Sequence, residues 1–573
     1  MTADSLVQLE FAKVVDLVVG KTQTPYGRAL AVALVPFEER ARTEEALREA
    51  WEAQRLLQQN GPLALGSGID LLPHLEQLQT EGLRLEPEVL RDVQTALEAA
   101  AECRQHLLNS EVCPCLQTFA RQLTLLPDLV AEIRRSIGPR AEILDSASLE
   151  LTDLRDELKA ERNRIKRQLE RLLQDERLQG VFQETLITDR NGRYVVPIRA
   201  DHSGRLKGFV HDVSASGQTL YVEPAVTLEG NNRTQTLVYK IERELERILA
   251  RLTSGVREAR HCLADNQAVL ARLDLRQAIA RLAIDLDGVV PELTDEPELA
   301  LRDARHPLLV VAEQAGGGAS VVPIDLHLPE ECHTLIISGP NTGGKTVALK
   351  TAGLLVLMVR AGLPIPCAPG SRVFLFTPVM ADIGDEQSIE QSLSTFSGHL
   401  LRLRNILDRA DGKTLVLMDE LGTGTDPGEG SALALAAVDC LRDIGARIMA
   451  TTHLHVVKGY AQLESQVENA AVEFDTDRLQ PTYRLHYGIP GASHAFTIAR
   501  RIGLPEKVLV DAESYLGQGE RKGVAIIERL QSLQAALDDE LRTAQRLRCS
   551  AEAEKQSLCD ERQKLESRRQ AIL

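Results

Sequence analysis

Eight consecutive residues carry the most specific chemistry in this chain: Gly339-Pro340-Asn341-Thr342-Gly343-Gly344-Lys345-Thr346. They fit G-x-x-x-x-G-K-[ST], the loop whose backbone N–H groups close around phosphates. The apolar run Thr334-Leu335-Ile336-Ile337-Ser338 precedes it and an Ala/Leu-rich stretch follows, which predicts strand, loop and helix in the order the motif needs. Lys345 would place a point charge on the β- and γ-phosphate oxygens, and the Thr346 hydroxyl suits Mg²⁺. With 39 glycines and 14 lysines in 573 residues, roughly 0.006 chance matches are expected per chain. ATP and Mg²⁺ are therefore the expected ligands.

Two further strand ends supply partners. Lys413-Thr414-Leu415-Val416-Leu417-Met418 runs into Asp419-Glu420. Asp419 suits a Mg²⁺ ligand, and Glu420 is placed to polarise an attacking water. Gly422-Thr423-Gly424-Thr425-Asp426-Pro427 then makes a tight polar loop. The run Arg447 to Thr452 ends in His453, whose place in the chain order suits a γ-phosphate sensor. The expected catalytic residues are Glu420, His453 and Lys345.

These groups need a scaffold. Apolar residues make up 43% of the chain and charged ones 26%, ordinary for globular proteins. Aromatics are only 3%, beside many Leu, Ala, Glu and Arg, which points to long helices. No run approaches the ~20 apolar residues of a membrane span, and the first ten residues lack the features of a signal peptide. Nine cysteines with no C-x-x-C pair are read as free thiols in a reducing, cytoplasmic setting. The net charge of −17 excludes a uniformly basic DNA-coating protein.

Short helices broken by Pro and Gly are expected over the first 140 residues. Leu151, Leu158, Ile165 and Leu172 recur every seven residues, predicting a long coiled-coil-type helix that ends near Gly180. The period then shortens, and strands are expected at 194–198, 208–213 and 219–222. Helical spacing returns at Ile241, Leu245, Ile248 and Leu252. A small β-rich module thus interrupts two long helices, and the simplest geometry sets it at the tip of an antiparallel arm. From about Leu301 strands and helices alternate, as in an α/β domain.

The motifs combine in an order that resembles the MutS ATPases, relatives of the ABC transporter ATPases. The phosphate loop comes first, then Ser392-Leu393-Ser394-Thr395-Phe396-Ser397-Gly398-His399, then Asp419-Glu420, then Thr451-Thr452-His453. Arg305-His306-Pro307 resembles the family's entry to this domain, and Gly491-Ala492-Ser493-His494-Ala495-Phe496 the segment after its last strand. Leu9-Glu10-Phe11, Asp382-Ile383-Gly384-Asp385-Glu386-Gln387-Ser388, Arg193-Tyr194-Val195-Val196-Pro197 and the run Ser214 to Pro224 resemble the second bacterial paralogue, the MutS-two branch.

The resemblance implies a multidomain α plus α/β protein. Residues 1–140 would form a helical core and lever, 141–180 and 231–300 the coiled-coil lever helices, and 181–230 a clamp. Residues 301–516 would form an ABC-type P-loop ATPase domain, and 517–573 a charged helical tail. It implies a homodimer in which Gln387 joins the nucleotide site and Ser394 completes the partner's site in trans. The two subunits would encircle nucleic acid, either branched or duplex DNA or the rRNA of a stalled ribosome. The branch usually also carries a C-terminal Smr nuclease domain, which these 573 residues do not include. Mismatch-reading MutS proteins carry an N-terminal reader with a Phe-x-Glu element. Phe182-Gln183-Glu184 fits that pattern in the wrong context, so mismatch recognition is not expected.

Between Arg190 and Lys207 five cations face one acid, Asp201. Arg193, Arg199, Arg205 and Lys207 are the expected nucleic-acid contacts, through phosphates and without base identity. The basic residues at 162–167 on the adjoining helix are read as ordinary surface charge.

Overall fold

A computed structural model describes residues 3–66, 68–80, 82–317, 320–340, 343–384, 395–475, 480–491, 495–515 and 547. The chain forms two compact units. One comprises residues 22–31 and 55–277; the other comprises 1–21, 32–54 and 278 onwards.

The first unit is built on two long helices, Leu149–Leu173 and Leu228–Glu258. Ser148 caps the former: its hydroxyl accepts from the Leu151 N–H at 3.0 Å, satisfying one of the helix's open donors. The same hydroxyl donates to Glu244 at 2.6 Å, while Gly230 lies against Ile165. Those two pairings show that the helices run antiparallel. Apolar stripes from both meet the helices Pro87–Leu108 and Pro127–Ser136 in a core of Leu90, Val93, Ile133, Leu151, Ile248 and Leu252. The expected end near Gly180 is early by a turn. The helix stops at Leu173, and Gly180 takes a left-handed φ of 79° on the way into the sheet.

Between the two helices lies a four-stranded antiparallel sheet: β1 Thr188–Arg190, β2 Arg193–Arg199, β3 Gly208–Val213 and β4 Thr219–Pro224, ordered β1-β2-β4-β3. Val196, Ile198, Leu206 and Val222 pack on Ile165 and Leu169 of the first helix. Phe182 pairs with Ile198 and joins that cluster, so its ring is part of the packing rather than an outward wedge.

Glu223 on β4 is fully buried. It accepts from Arg193 at 2.9 and 3.1 Å and from Asn231 at 2.8 Å, and contacts His211 Nε2 at 2.5 Å. Removing one partner of such a pair strands a charge out of water. Arg193→Ala should therefore destabilise this sheet by about 3–5 kcal/mol. Native-state hydrogen exchange over β1–β4 would show it, and unchanged protection would refute it.

The second unit holds two sheets. Strands β5 Glu292–Thr294, β6 Leu299–Ala304, β7 Ile324–Leu328 and β9 Arg372–Phe374 form one, ordered β5-β9-β6-β7. The other contains β8 Thr334–Ser338, β10 Val379–Asp382, β11 Leu415–Met418, β12 Arg447–Thr451, β13 Val467–Asp475 and β14 Gln480–Tyr487. Its order is β10-β11-β12-β8-β13-β14, parallel except for the last pair. β8, β10, β11 and β12 are buried throughout, as their uninterrupted apolar sequences require of a doubly covered parallel sheet.

The chain's N-terminal segment belongs to this unit. Ser5 and Gln8 side chains accept from the N–H groups of Ala381 (3.2 Å) and Ile383 (3.1 Å) at the end of β10. Leu9 fills the space over Gly353 in the helix Lys345–Arg360.

Candidate nucleotide site

The carboxyl ends of β8, β10, β11 and β12 point the same way, and that is where ligands bind in open α/β sheets. The phosphate loop leaves β8, Asp419 and Glu420 leave β11, and His453 lies just beyond β12. Asn341, Thr342, Gln387, Ser394 and residues 517–546 and 548–573 lie outside the described residues. Gly339, Pro340, Gly343, Gly344, Lys345 and Thr346 are described. Gly339 and Gly344 have φ of 142° and 88°, values open to glycine and costly for other residues.

Lys345 is buried, and its ammonium donates to the Gly339 carbonyl at 2.7 Å and lies 2.9 Å from His453 Nε2. Burial, then the neighbouring ammonium groups, hold the His453 pKa below its ordinary value, so a neutral imidazole accepts from the lysine. Thr346 Oγ1 donates to Asp419 at 2.7 Å, and Thr451 Oγ1 donates to the other oxygen of the same carboxylate. The Thr451 hydroxyl also accepts from the Glu420 N–H at 2.8 Å. Glu420 takes a left-handed φ of 50°, a strained value for a non-glycine residue, held by Thr451 and by Thr423, which donates to its carbonyl at 2.8 Å. A cavity of ≈ 50 Å³ adjoins it, lined by Asp382, His399, Asp419, Glu420 and Thr423. That is room for water. His399 Nδ1 sits 2.9 Å from the Asp382 carboxylate, which Arg402 also contacts.

On the other side of the loop a larger cavity, ≈ 320 Å³, is lined mainly by Val321, Val322, Val347, Val472, Tyr483 and Leu485, with Gly343 and Gly344 at one wall. The Tyr483 ring comes so close to Gly344 that a Cβ there would lie 2.7 Å from it. His306 also lines this cavity; burial pushes its pKa down to about 4, and its Nδ1 has no hydrogen-bond partner.

Several site residues had no marker of their own in the sequence: Thr451 as the bridge between the two carboxylates, the Asp382–His399 pair, Tyr483, and Lys458. The last is buried and donates to the Gly491 carbonyl at 3.0 Å, while the Gly491 N–H donates to Ser338 at 2.7 Å. The available signal for Thr451 was a hydroxyl at the end of a wholly apolar strand. For Lys458 it was a lysine in a chain with few of them.

The MutS domain V family model matches residues 335–519, from within β8 through the helix Glu506–Tyr515. A protein named Endonuclease MutS2 from Symbiobacterium thermophilum is 41% identical over 540 residues, covering 94% of this chain and 67% of its own length. Its namesake from Thermomicrobium roseum is 44% identical over 546 residues, covering 93% and 68%. The chain belongs to the MutS2 branch of the MutS family. A third MutS2, from Pelotomaculum thermopropionicum, is 40% identical over 574 residues, covering 100% of this chain and 72% of its own. MutS-family proteins are ATPases, and in this MutS2 chain the domain V match contains the phosphate loop, Asp419, Glu420 and His453. Among the described residues no helix is long and apolar enough to cross a membrane.

Lys345 gives this MutS2 site a pH dependence. Burial lowers its pKa to about 8, and phosphate oxygens favour its charged form. ATP affinity should thus be full below pH 8 and weaken about tenfold for each pH unit above it. Calorimetry at pH 8.5 in buffers of different ionisation enthalpy should show proton uptake on binding. Affinity constant from pH 7 to 9.5 would contradict the assignment.

Proposed function

We propose that this MutS2 chain is an ATP-hydrolysing clamp that works as a homodimer on nucleic acid and does not select mismatches. The observation that carries the ATPase part is the Thr346–Asp419–Thr451–Glu420 chain of hydrogen bonds, which joins the phosphate loop to the residue beside the water-sized cavity. ATP phosphates would draw the Lys345 ammonium from the Gly339 carbonyl, and His453 would turn to the γ-phosphate. Glu420 would orient a water and accept its proton. The apolar cavity beside Tyr483 and Gly344 suits the adenine ring, with His306 Nδ1 as a polar contact.

Among the described residues no group of three or more His, Cys, Asp or Glu could hold a metal alone. Thr346 and Asp419, two hard oxygen donors 2.7 Å apart, fit a cation whose remaining ligands are phosphate and water. Mg²⁺ bound there would neutralise phosphate charge.

Exposed Leu400 and Leu433, which line the cavity with Glu420, support a second subunit closing over it. Ser394 of that subunit would complete the site. The mismatch-blind reading is supported by Phe182, whose ring is packed in the small sheet's core. Arg193 is engaged by Glu223 and Asn232, so phosphate contact falls to other cations, with Arg199, Arg205 and Lys207 among them. The test is binding to matched duplex, a single G·T mismatch, a branched junction and ribosomes. Equal affinity for the two linear duplexes is expected, with the preference going to the junction. A clear mismatch preference would overturn the reading, and preference for ribosomes would move the target to rRNA.

A further inference from the structure

The paired helices of the first unit carry many arginines, and most are matched to carboxylates. Arg155 pairs with Asp145, Arg233 with Glu157, Arg247 with Glu244 and Arg251 with Glu132. In the small sheet Arg190 pairs with Asp212 and stacks on Tyr221, Arg193 pairs with Glu223, and Arg199 with Asp201. One stretch breaks the rule. Arg162, Lys166, Arg167 and Arg171 are exposed and none pairs with a carboxylate. Lys166 faces the Tyr194 ring, and Arg167 donates to the Asn163 carbonyl at 3.3 Å.

We propose that this face of the helix Leu149–Leu173, extended by Arg205 and Lys207, is the surface that follows the phosphate backbone of duplex DNA. The inference rests on the nucleic-acid reading above and places its contacts on the helix rather than on the sheet's arginines.

Three observations carry it. First, the chain has a net charge of −17, so unpaired cations in one place are not the overflow of a basic protein. Second, the spacing is regular. Arg162 to Lys166 and Arg167 to Arg171 are i, i+4 steps, each about 6 Å along a rigid axis. Leu206 is buried in the same cluster as Ile165 and Leu169 and anchors its loop there, with exposed Arg205 and Lys207 on either side. Third, the helix dipole accounts for a cation only in the last turn, which covers Arg171 and leaves Arg162, Lys166 and Arg167.

The chemistry favours a duplex over the other polyanions. Among the described residues from 150 to 185 no large apolar side chain is exposed, so a lipid surface would find nothing to insert. The row also carries no aromatic residue for stacking, which single-stranded RNA and DNA binders use.

The test uses the full chain and a fluorescent matched DNA duplex, titrated at several salt concentrations with ATP and with ADP. Arg162→Gln, Lys166→Gln, Arg167→Gln and Arg171→Gln combined should weaken binding at least about tenfold. The slope of log K against log salt should flatten by about 3–4, at ~0.9 per lost phosphate contact. The triple variant Arg162→Lys, Arg167→Lys, Arg171→Lys should bind like the wild type, since phosphate contact needs charge and not a carboxylate-matching fork. Combined Gln substitutions at the paired Arg155, Arg233, Arg247 and Arg251 remove the same charge and should leave the slope unchanged. Thermal melting of each variant separates loss of contact from loss of fold.

If the wild type binds and the first quadruple variant, folded, keeps affinity and slope, this surface is wrong and the nucleic-acid reading stands. If the wild type binds no duplex at low salt in either nucleotide, both fail. Capture of rRNA helices but not DNA by this face would overturn the choice of DNA.

Discussion

Glu420→Gln should keep ATP bound and stop its turnover, with kcat reduced about 10²–10⁴-fold, the usual yield of a positioned general base. The substitution keeps the shape and removes the basicity. Glu420 is fixed through its backbone: its N–H donates to Thr451 and its carbonyl accepts from Thr423. The amide variant should therefore hold the same left-handed turn. Asp419 would retain both hydroxyl partners, so the Mg²⁺ and ATP contacts persist. Filter binding with labelled ATP and single-turnover hydrolysis read the two effects separately. Hydrolysis at the wild-type rate would remove Glu420 from its role.

Lys345→Ala should act on the other parameter. The ammonium lies in the mouth of the phosphate loop, 2.7 Å from the Gly339 carbonyl and 2.9 Å from His453. Losing a charged hydrogen-bond donor to a triphosphate costs about 1.5–3 kcal/mol from the bond alone, and more where burial weakens screening. ATP affinity should fall by at least about tenfold to a hundredfold. Because the variant also removes a buried charge of depressed pKa, the apo protein should fold at least as stably. Calorimetric titration with ATP measures the first effect and thermal melting the second. Wild-type affinity in this variant would place the nucleotide elsewhere.

The phosphate loop was legible because its chemistry is contiguous: eight neighbouring residues make the cradle and declare it. The strands β8, β11 and β12 were legible because strands buried on both faces must be apolar throughout. The small sheet was legible through its short period and its Gly and Ser turns. Arg193 was misleading for the opposite reason. Counting charges from 190 to 207 found one acid, whereas the partner that matters, Glu223, lies thirty residues on and meets Arg193 only when the sheet forms. Thr451, Lys458 and Tyr483 enter the site the same way, brought to the loop by strand order. Ser5 and Gln8 bond to residues 376 and 375 positions away, and no local pattern announces so distant a partner.

The central claim is that the nucleotide site governs the hold on nucleic acid. The most direct measurement is the dissociation rate of a matched duplex from the Glu420→Gln chain, chased with excess unlabelled duplex in ATP and in ADP. The account predicts dissociation that differs at least about tenfold between the two nucleotides, with the difference abolished by adding Lys345→Ala. Equal rates in ATP and ADP, with ATP shown to be bound, would contradict it.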